Sequence, residues 1–239
     1  MSEAPEHKPE AGAPAAPVDE REAERLAALE AGRLLFARPC RFVFASQRLD
    51  QLPEARLPEV AFCGRSNVGK SSLVNALTGQ KTLARVSNTP GRTKQLNFFE
   101  LGGEGQARLT LVDMPGYGYA QAARAVKEDW QGLMFDYLRG RTTLRRVILL
   151  LDARVETKDS DRAAMELLGK AAVPFQIVLT KADDTPSARL AKRQQEAELL
   201  VAKQAAAHPL VITTSSEKGL GIPELRAELA SLALLPGTD

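Results

Sequence analysis

The run Gly64-Arg65-Ser66-Asn67-Val68-Gly69-Lys70-Ser71 matches the spacing GxxxxGK[ST]. Its glycines let the backbone curl around a phosphate while successive N–H groups turn inward as an anion nest. Lys70 would reach the β- and γ-phosphates of a nucleotide, and the Ser71 hydroxyl would ligate Mg2+. This spacing alone does not choose between adenine and guanine.

Three further clusters follow it in the order that a nucleotide site requires. Asp113-Met114-Pro115-Gly116 lies 43 residues after Lys70. Asp113 would hold Mg2+ through water, and the Gly116 N–H would sense the γ-phosphate. Thr180-Lys181-Ala182-Asp183 addresses the base. A carboxylate accepts two hydrogen bonds from the N1–H and 2-amino group of guanine, a donor pair that adenine lacks. The stem of Lys181 would pack along the ring. Thr214-Ser215-Ser216 supplies the fourth cluster, where an N–H around Ser216 would meet the guanine O6.

Between the first two clusters, Asn88-Thr89-Pro90-Gly91-Arg92-Thr93-Lys94-Gln95 is polar and rich in turn formers. A threonine is needed here to complete the metal shell when the γ-phosphate is present. Thr93, 23 residues after Lys70, is assigned that role, with Thr89 as the fallback. The nucleotide contacts expected of this segment come from Gly91, Arg92, Thr93, Lys94 and Gln95. The metal set is therefore Ser71, Thr93 and Asp113.

These clusters need strands and helices to position them. Short apolar runs at 42–45, 59–63, 96–101, 108–112, 146–151, 175–179 and 210–213 read as strands. Amphipathic stretches at 70–78, 120–138, 160–171, 187–206 and 222–232 read as helices. Alternation of the two predicts an α/β fold of the P-loop NTPase kind, a three-layer sandwich with helices on both faces of a mostly parallel sheet. The segments 96–101 and 108–112, joined by Gly102-Gly103-Glu104-Gly105, read as a hairpin that adds one antiparallel edge strand. Such a sheet binds ligands at the carboxyl ends of its strands, which is where each cluster falls.

Residues 1–18 carry four prolines among Ala and Glu and are expected to be disordered. From Asp19 to about Leu35 the chain favours a helix whose thin stripe (Leu26, Leu29, Leu34, Leu35) predicts loose docking. The organisation expected is an N-terminal extension at 1–35, a GTP-binding domain at 36–235 and a short tail at 236–239.

Composition sets outer bounds. The chain is 44% hydrophobic and 26% charged, as globular domains are. Cys40 and Cys63 form no CxxC or Cys/His cluster and read as free thiols. No apolar run approaches the roughly 18 residues that span a bilayer, and the N-terminus lacks a secretory pattern, so a cytoplasmic protein with no membrane partner is expected. Residues 1–30 hold eight acids against three bases, so the basic excess lies in the rest of the chain and suits a polyanionic partner. Two basic groups qualify, Lys81/Arg85/Arg92/Lys94 beside the polar segment and Arg139/Arg141/Arg145/Arg146 around a turn.

The stretches GRSNVGKSS (64–72), NTPGRT (88–93), Asn97-Phe98-Phe99, DMPGYGYA (113–120) and TKAD (180–183) together resemble the bacterial EngB (YihA/YsxC) ribosome-biogenesis GTPases, from about Phe42 to Leu232. The resemblance implies GTP or GDP and Mg2+ as ligands. It also implies a role in assembling the large ribosomal subunit, contacted through rRNA, and the chain itself is expected to be a monomer. Many GTPases carry a water-orienting glutamine after DxxG, whereas Tyr117 stands here, so slow unassisted hydrolysis is expected. In GTPases with a P-loop asparagine like Asn67, that side chain helps bind K+ in place of an arginine finger. The catalytic set implied is Lys70, Asn67, Thr93 and Gly116. A GTP-gated binding module in which hydrolysis matters little is the alternative; a P-loop ATPase conflicts with 180–183.

Overall fold

A computed structural model of the chain describes residues 18–84, 95–117, 132 and 134–234. Among the described residues, seven strands form one sheet: β1 (Cys40–Ser46), β2 (Glu59–Gly64), β3 (Leu96–Leu101), β4 (Leu109–Asp113), β5 (Leu144–Asp152), β6 (Phe175–Thr180) and β7 (Ile212–Thr213), in the order β1-β3-β4-β2-β5-β6-β7. The helices are α1 (Val18–Phe36), α2 (Lys70–Thr78), α3 at 134–140, α4 (Asp159–Lys170), α5 (Ser187–Val201) and α6 (Ile222–Ala233). Both β1 and β4 pair antiparallel with β3, and the remaining pairs are parallel. The antiparallel strand is thus β3, one place in from the rim that β1 forms.

Alternate residues of the central strands build two cores. Val60, Phe62, Ile148, Leu150 and Val178 face α1, α2 and α6. Ala61, Cys63, Leu149, Leu151 and Ile177 face α3, α4 and α5. Strands buried on both faces must be apolar at consecutive positions, which is why β5 and β6 read as unbroken hydrophobic runs. Both cysteines are buried and unbridged, and burial pushes each thiol up to about 12.

The N-terminal helix sits closer than its thin stripe predicts. Leu26 and Leu34 remain exposed, while Leu35 and Phe36 are buried. What seats α1 is Gly32: a Cβ there would lie 2.5 Å from the Ala227 backbone nitrogen of α6. Arg226 of α6 stacks 5.8 Å over the Phe36 ring and donates to the carbonyls of Ala76 and Leu77 at the end of α2. Of the segment 1–18 expected to be disordered, Val18 already belongs to α1 and residues 1–17 lie outside the described residues.

Candidate functional site

Four strands that end at the same pole, β2, β4, β6 and β7, each carry one of the clusters. Gly64 closes β2, and α2 opens at Lys70 behind Gly69, whose φ of 100° is open to glycine at little cost. Asn67 also sits in the left-handed region (φ 64°), with its side chain exposed. Asp113 ends β4 and forms an ion pair with the Lys70 ammonium, the two side chains only 7% and 11% exposed. The first two clusters therefore meet through their charged members.

The segment after Asp113 is laid against the phosphate-type loop. Met114 and Pro115 are buried, and the Met114 N–H donates to Phe62 O (3.1 Å), so these residues offer backbone rather than side chain. Ser66 N–H donates to Tyr117 O (3.3 Å), Tyr117 N–H donates to Gly64 O (3.2 Å), and Arg65 and Tyr117 form a parallel bridge. Gly116 is pressed so close that a Cβ would stand 3.1 Å from Ser66 N.

Tyr117 stands where many GTPases carry a water-orienting glutamine. Its phenol is buried and donates to Asp161 Oδ1 of α4 (3.0 Å). Burial, with Cys63 and Asp161 close by, holds that phenol far above its ordinary pKa. The ring is large and apolar, and the core beneath β4 gives it more contact than the polar rim.

The base cluster is tied directly to the loop. Thr180 Oγ1 donates to Val68 O (2.6 Å), and Lys181 Nζ donates to Asn67 O (2.6 Å) and Asp152 Oδ2 (2.9 Å). Lys181 itself adopts left-handed backbone (φ 60°), and its Cε lies 3.7 Å from where a Gly69 Cβ would be. Asp183 sits on the short 3-10 turn Ala182–Asp184, is exposed, and accepts no hydrogen bond from the protein among the described residues. Ala182 N–H donates to Thr214 O (3.1 Å), which joins the fourth cluster to the third.

Within that fourth cluster the roles divide. Thr214 and Ser215 are fully buried. Thr214 Oγ1 donates to Leu179 O (2.9 Å), Ser215 N–H donates to Leu220 O (2.9 Å), and Ser215 Oγ accepts from Lys218 N–H (3.0 Å). Those two residues brace the turn, and Ser216, half-buried at the rim, is the one facing outward. Thr93 and its neighbours Gly91, Arg92 and Lys94 lie outside the described residues, as do Thr89, Arg85 and Trp130; Gln95 is half-buried and donates to Asn97 Oδ1 (3.2 Å).

Two members of the second basic group are not an open surface, while Arg139 is exposed. Arg141 is nearly buried on Glu59 (2.6 Å), and Arg146 is shared between Gln176 and Glu228 (2.9 Å each). Their charges are neutralised at the opposite pole of the sheet. Sequence reasoning missed Asp152, Arg154 and Asp161. The signal for Asp152 was present, since it ends the strand between β2 and β6 at the pole where ligands bind.

Comparison with known proteins gives concordant results. A family model described as "50S ribosome-binding GTPase" matches residues 59–181. The "Probable GTP-binding protein EngB" of Gluconobacter oxydans is 64% identical over 208 residues, covering 87% of this chain and 90% of that protein. The protein of the same description from Granulibacter bethesdensis is 64% identical over 205 residues, covering 86% and 90%. A crystal structure of a probable GTP-binding protein EngB is 22% identical with a TM-score of 0.56, covering 73% of this chain and 98% of that one, and carries the fold alone.

Proposed function

The chain belongs to the EngB family of GTP-binding proteins and is a GTP-hydrolysing P-loop enzyme, and on that premise we propose that it acts as a nucleotide-dependent switch in assembly of the large ribosomal subunit. The observation that carries the base assignment is Asp183, an exposed carboxylate without a protein donor among the described residues, on a turn fastened to the loop by Thr180 and Lys181. A carboxylate left open beside the loop suits the two donors of guanine's edge.

The phosphates lie along 64–71, with Lys70 exchanging Asp113 for phosphate oxygens. Mg2+ fits the donors present, because the Ser71 hydroxyl opening α2 would ligate it and the Asp113 carboxylate would hold it through water, both hard oxygen groups. When bound, that ion withdraws charge from the phosphates. Water attacks the γ-phosphorus and the bond to the β-phosphate oxygen breaks, giving GDP and phosphate. Gly116 stands at the loop, where its N–H meets the γ-phosphate, and Thr93 completes the set. With the Tyr117 phenol in the core, no side chain from that position orients the water, so intrinsic hydrolysis is slow. The exposed Asn67 side chain is the group through which K+ would accelerate it.

The ribosomal role rests on the description of the matching family model and on the basic group that begins at the exposed Lys81. Two experiments test these readings. Asp183→Asn should shift preference from guanine towards xanthine nucleotides, and unchanged guanine preference overturns the base assignment. Co-sedimentation with large ribosomal subunits should be stronger with a non-hydrolysable GTP analogue than with GDP; association indifferent to nucleotide overturns the switch.

A further inference from the structure

Asp152 and Arg154 belong to none of the nucleotide clusters, yet they converge on two of them. The carboxyl end of β5 is held beside the base cluster by register, Asp152 opposite Thr180, and by Ala153 N–H donating to Thr180 O (3.0 Å). From there Asp152 Oδ2 accepts from Lys181 Nζ (2.9 Å). The same carboxylate is gripped at both oxygens by Arg154, Nε to Oδ1 at 3.0 Å and Nη2 to Oδ2 at 2.9 Å, with the Arg154 N–H adding a third bond to Oδ1 (3.0 Å). Arg154 Nη1 then reaches Asp184 Oδ2 (3.2 Å), the residue after Asp183.

We propose that Asp152 and Arg154 are positioning residues for the base site: the alternating chain Lys181–Asp152–Arg154–Asp184 encircles the turn that carries Asp183 and sets how long a guanine nucleotide stays bound. This rests on the guanine reading above. A lysine stem is flexible, and its packing against a purine requires the head group to be fixed beyond the ring. Asn67 O supplies a neutral acceptor at one side, and Asp152 supplies the charge at the other. A carboxylate held bidentate by a planar guanidinium has one orientation, so the lysine is aimed rather than merely attracted. Burial pushes the Asp152 carboxyl up, but the hydrogen bonds from Arg154 and Lys181 outweigh it and hold the group below its usual range, ionised at neutral pH. Asp152 is the buried hub, its side chain 13% exposed; Arg154 at 41% is the rim brace and should matter less.

The chain touches the base end and not the phosphates, so its loss should affect GDP and GTP alike. The test is the release rate of a fluorescent GDP from the full-length protein, with GTP-analogue affinity measured in parallel. Asp152→Asn should speed release about tenfold and Arg154→Gln about threefold, with the GDP-to-GTP affinity ratio unchanged. In a Lys181→Met background, where no ammonium remains to be aimed, Asp152→Asn should add nothing. A merely structural role would lower the melting temperature without this dependence on Lys181. Release within twofold of the parent for both single variants, or an Asp152 effect that multiplies fully with Lys181→Met, overturns the proposal. A parent protein that fails to bind GDP overturns the guanine reading and this inference with it; a parent that binds GDP beside silent variants overturns the inference alone.

Discussion

The two ends of the parallel strands hold their charge in opposite ways. At the amino ends of β2 and β5, Glu59 accepts from Arg141 and from the Tyr137 hydroxyl (3.1 Å), while Arg141 also donates to Pro53 O (2.7 Å) and lies 5.7 Å over Phe98. Arg146 is likewise divided between Gln176 and Glu228. At the carboxyl ends, Lys70 has Asp113, and Asp183 faces outward with no protein donor among the described residues. The same ion-pair chemistry is structural where the protein saturates it. Where one partner can be exchanged for a ligand, it becomes a binding site. Asp152 is saturated too, so what separates the poles is that Lys70 and Asp183 at the carboxyl ends stay exchangeable or open.

Mutations at the two ends should accordingly fail in different currencies of measurement. The largest effect is expected for Lys70→Met, which should weaken GDP binding about 100-fold by calorimetric titration. Loss of stability with intact binding would break the comparison. At the other pole, Glu59→Gln strands Arg141 in the core and should cost about 3 kcal/mol in urea unfolding, with nucleotide affinity within twofold of the parent. If affinity falls instead, the poles are coupled and the division is wrong. Tyr117→Phe removes a buried hydrogen bond and should cost about 1 kcal/mol while changing single-turnover hydrolysis less than threefold; a large rate change would place the phenol beside the reacting water.

The smallest effect concerns His208, 3.9 Å from Glu228 and close to Arg146. Burial and the Arg146 charge depress its pKa against the opposing pull of Glu228. A histidine depressed on folding stabilises the neutral form, so its contribution is complete above the unfolded value near 6.5 and is lost as pH falls through the lower folded value. His208→Gln should therefore flatten the decline of the melting temperature on acidification below about pH 6.5. An unchanged slope would remove His208 from the saturated pole.

Legibility in the sequence followed the range of the interactions that decide each feature. The helix Lys70–Thr78 and the strand Leu96–Leu101 were read to the residue, because a left-handed glycine and a glycine-rich turn mark their limits locally. The helix expected at 187–206 ends at Val201 instead. There the sheet wins: Phe175 N–H donates to Ala206 O (3.0 Å) and His208 N–H to Phe175 O (2.6 Å), drawing the chain onto the rim of β6. The strand expected from Leu210 shortens to Ile212–Thr213, since pairing with β6 occurs only opposite Val178 and Leu179. Gly32 was unreadable for a related reason. A glycine within a helix is unfavourable by itself, and only the backbone of α6 pressed against it explains its place.

The sequence by itself determined the fold class and the order of the four clusters, because periodic burial and glycine geometry are local properties of the chain. It also determined the charged members of the four clusters, Lys70, Asp113, Lys181 and Asp183, though not Asp152 and Arg154 beside them. Only the tertiary structure decided which charges are saturated. Arg141 and Arg146 read as a basic surface until Glu59 and Glu228, each 82 residues away along the chain, are seen beside them. Asp152 lay one residue past the strand expected at 146–151 and had no role until β6 brought Lys181 to it. Charge is written residue by residue, but its partner is chosen by packing across the sheet.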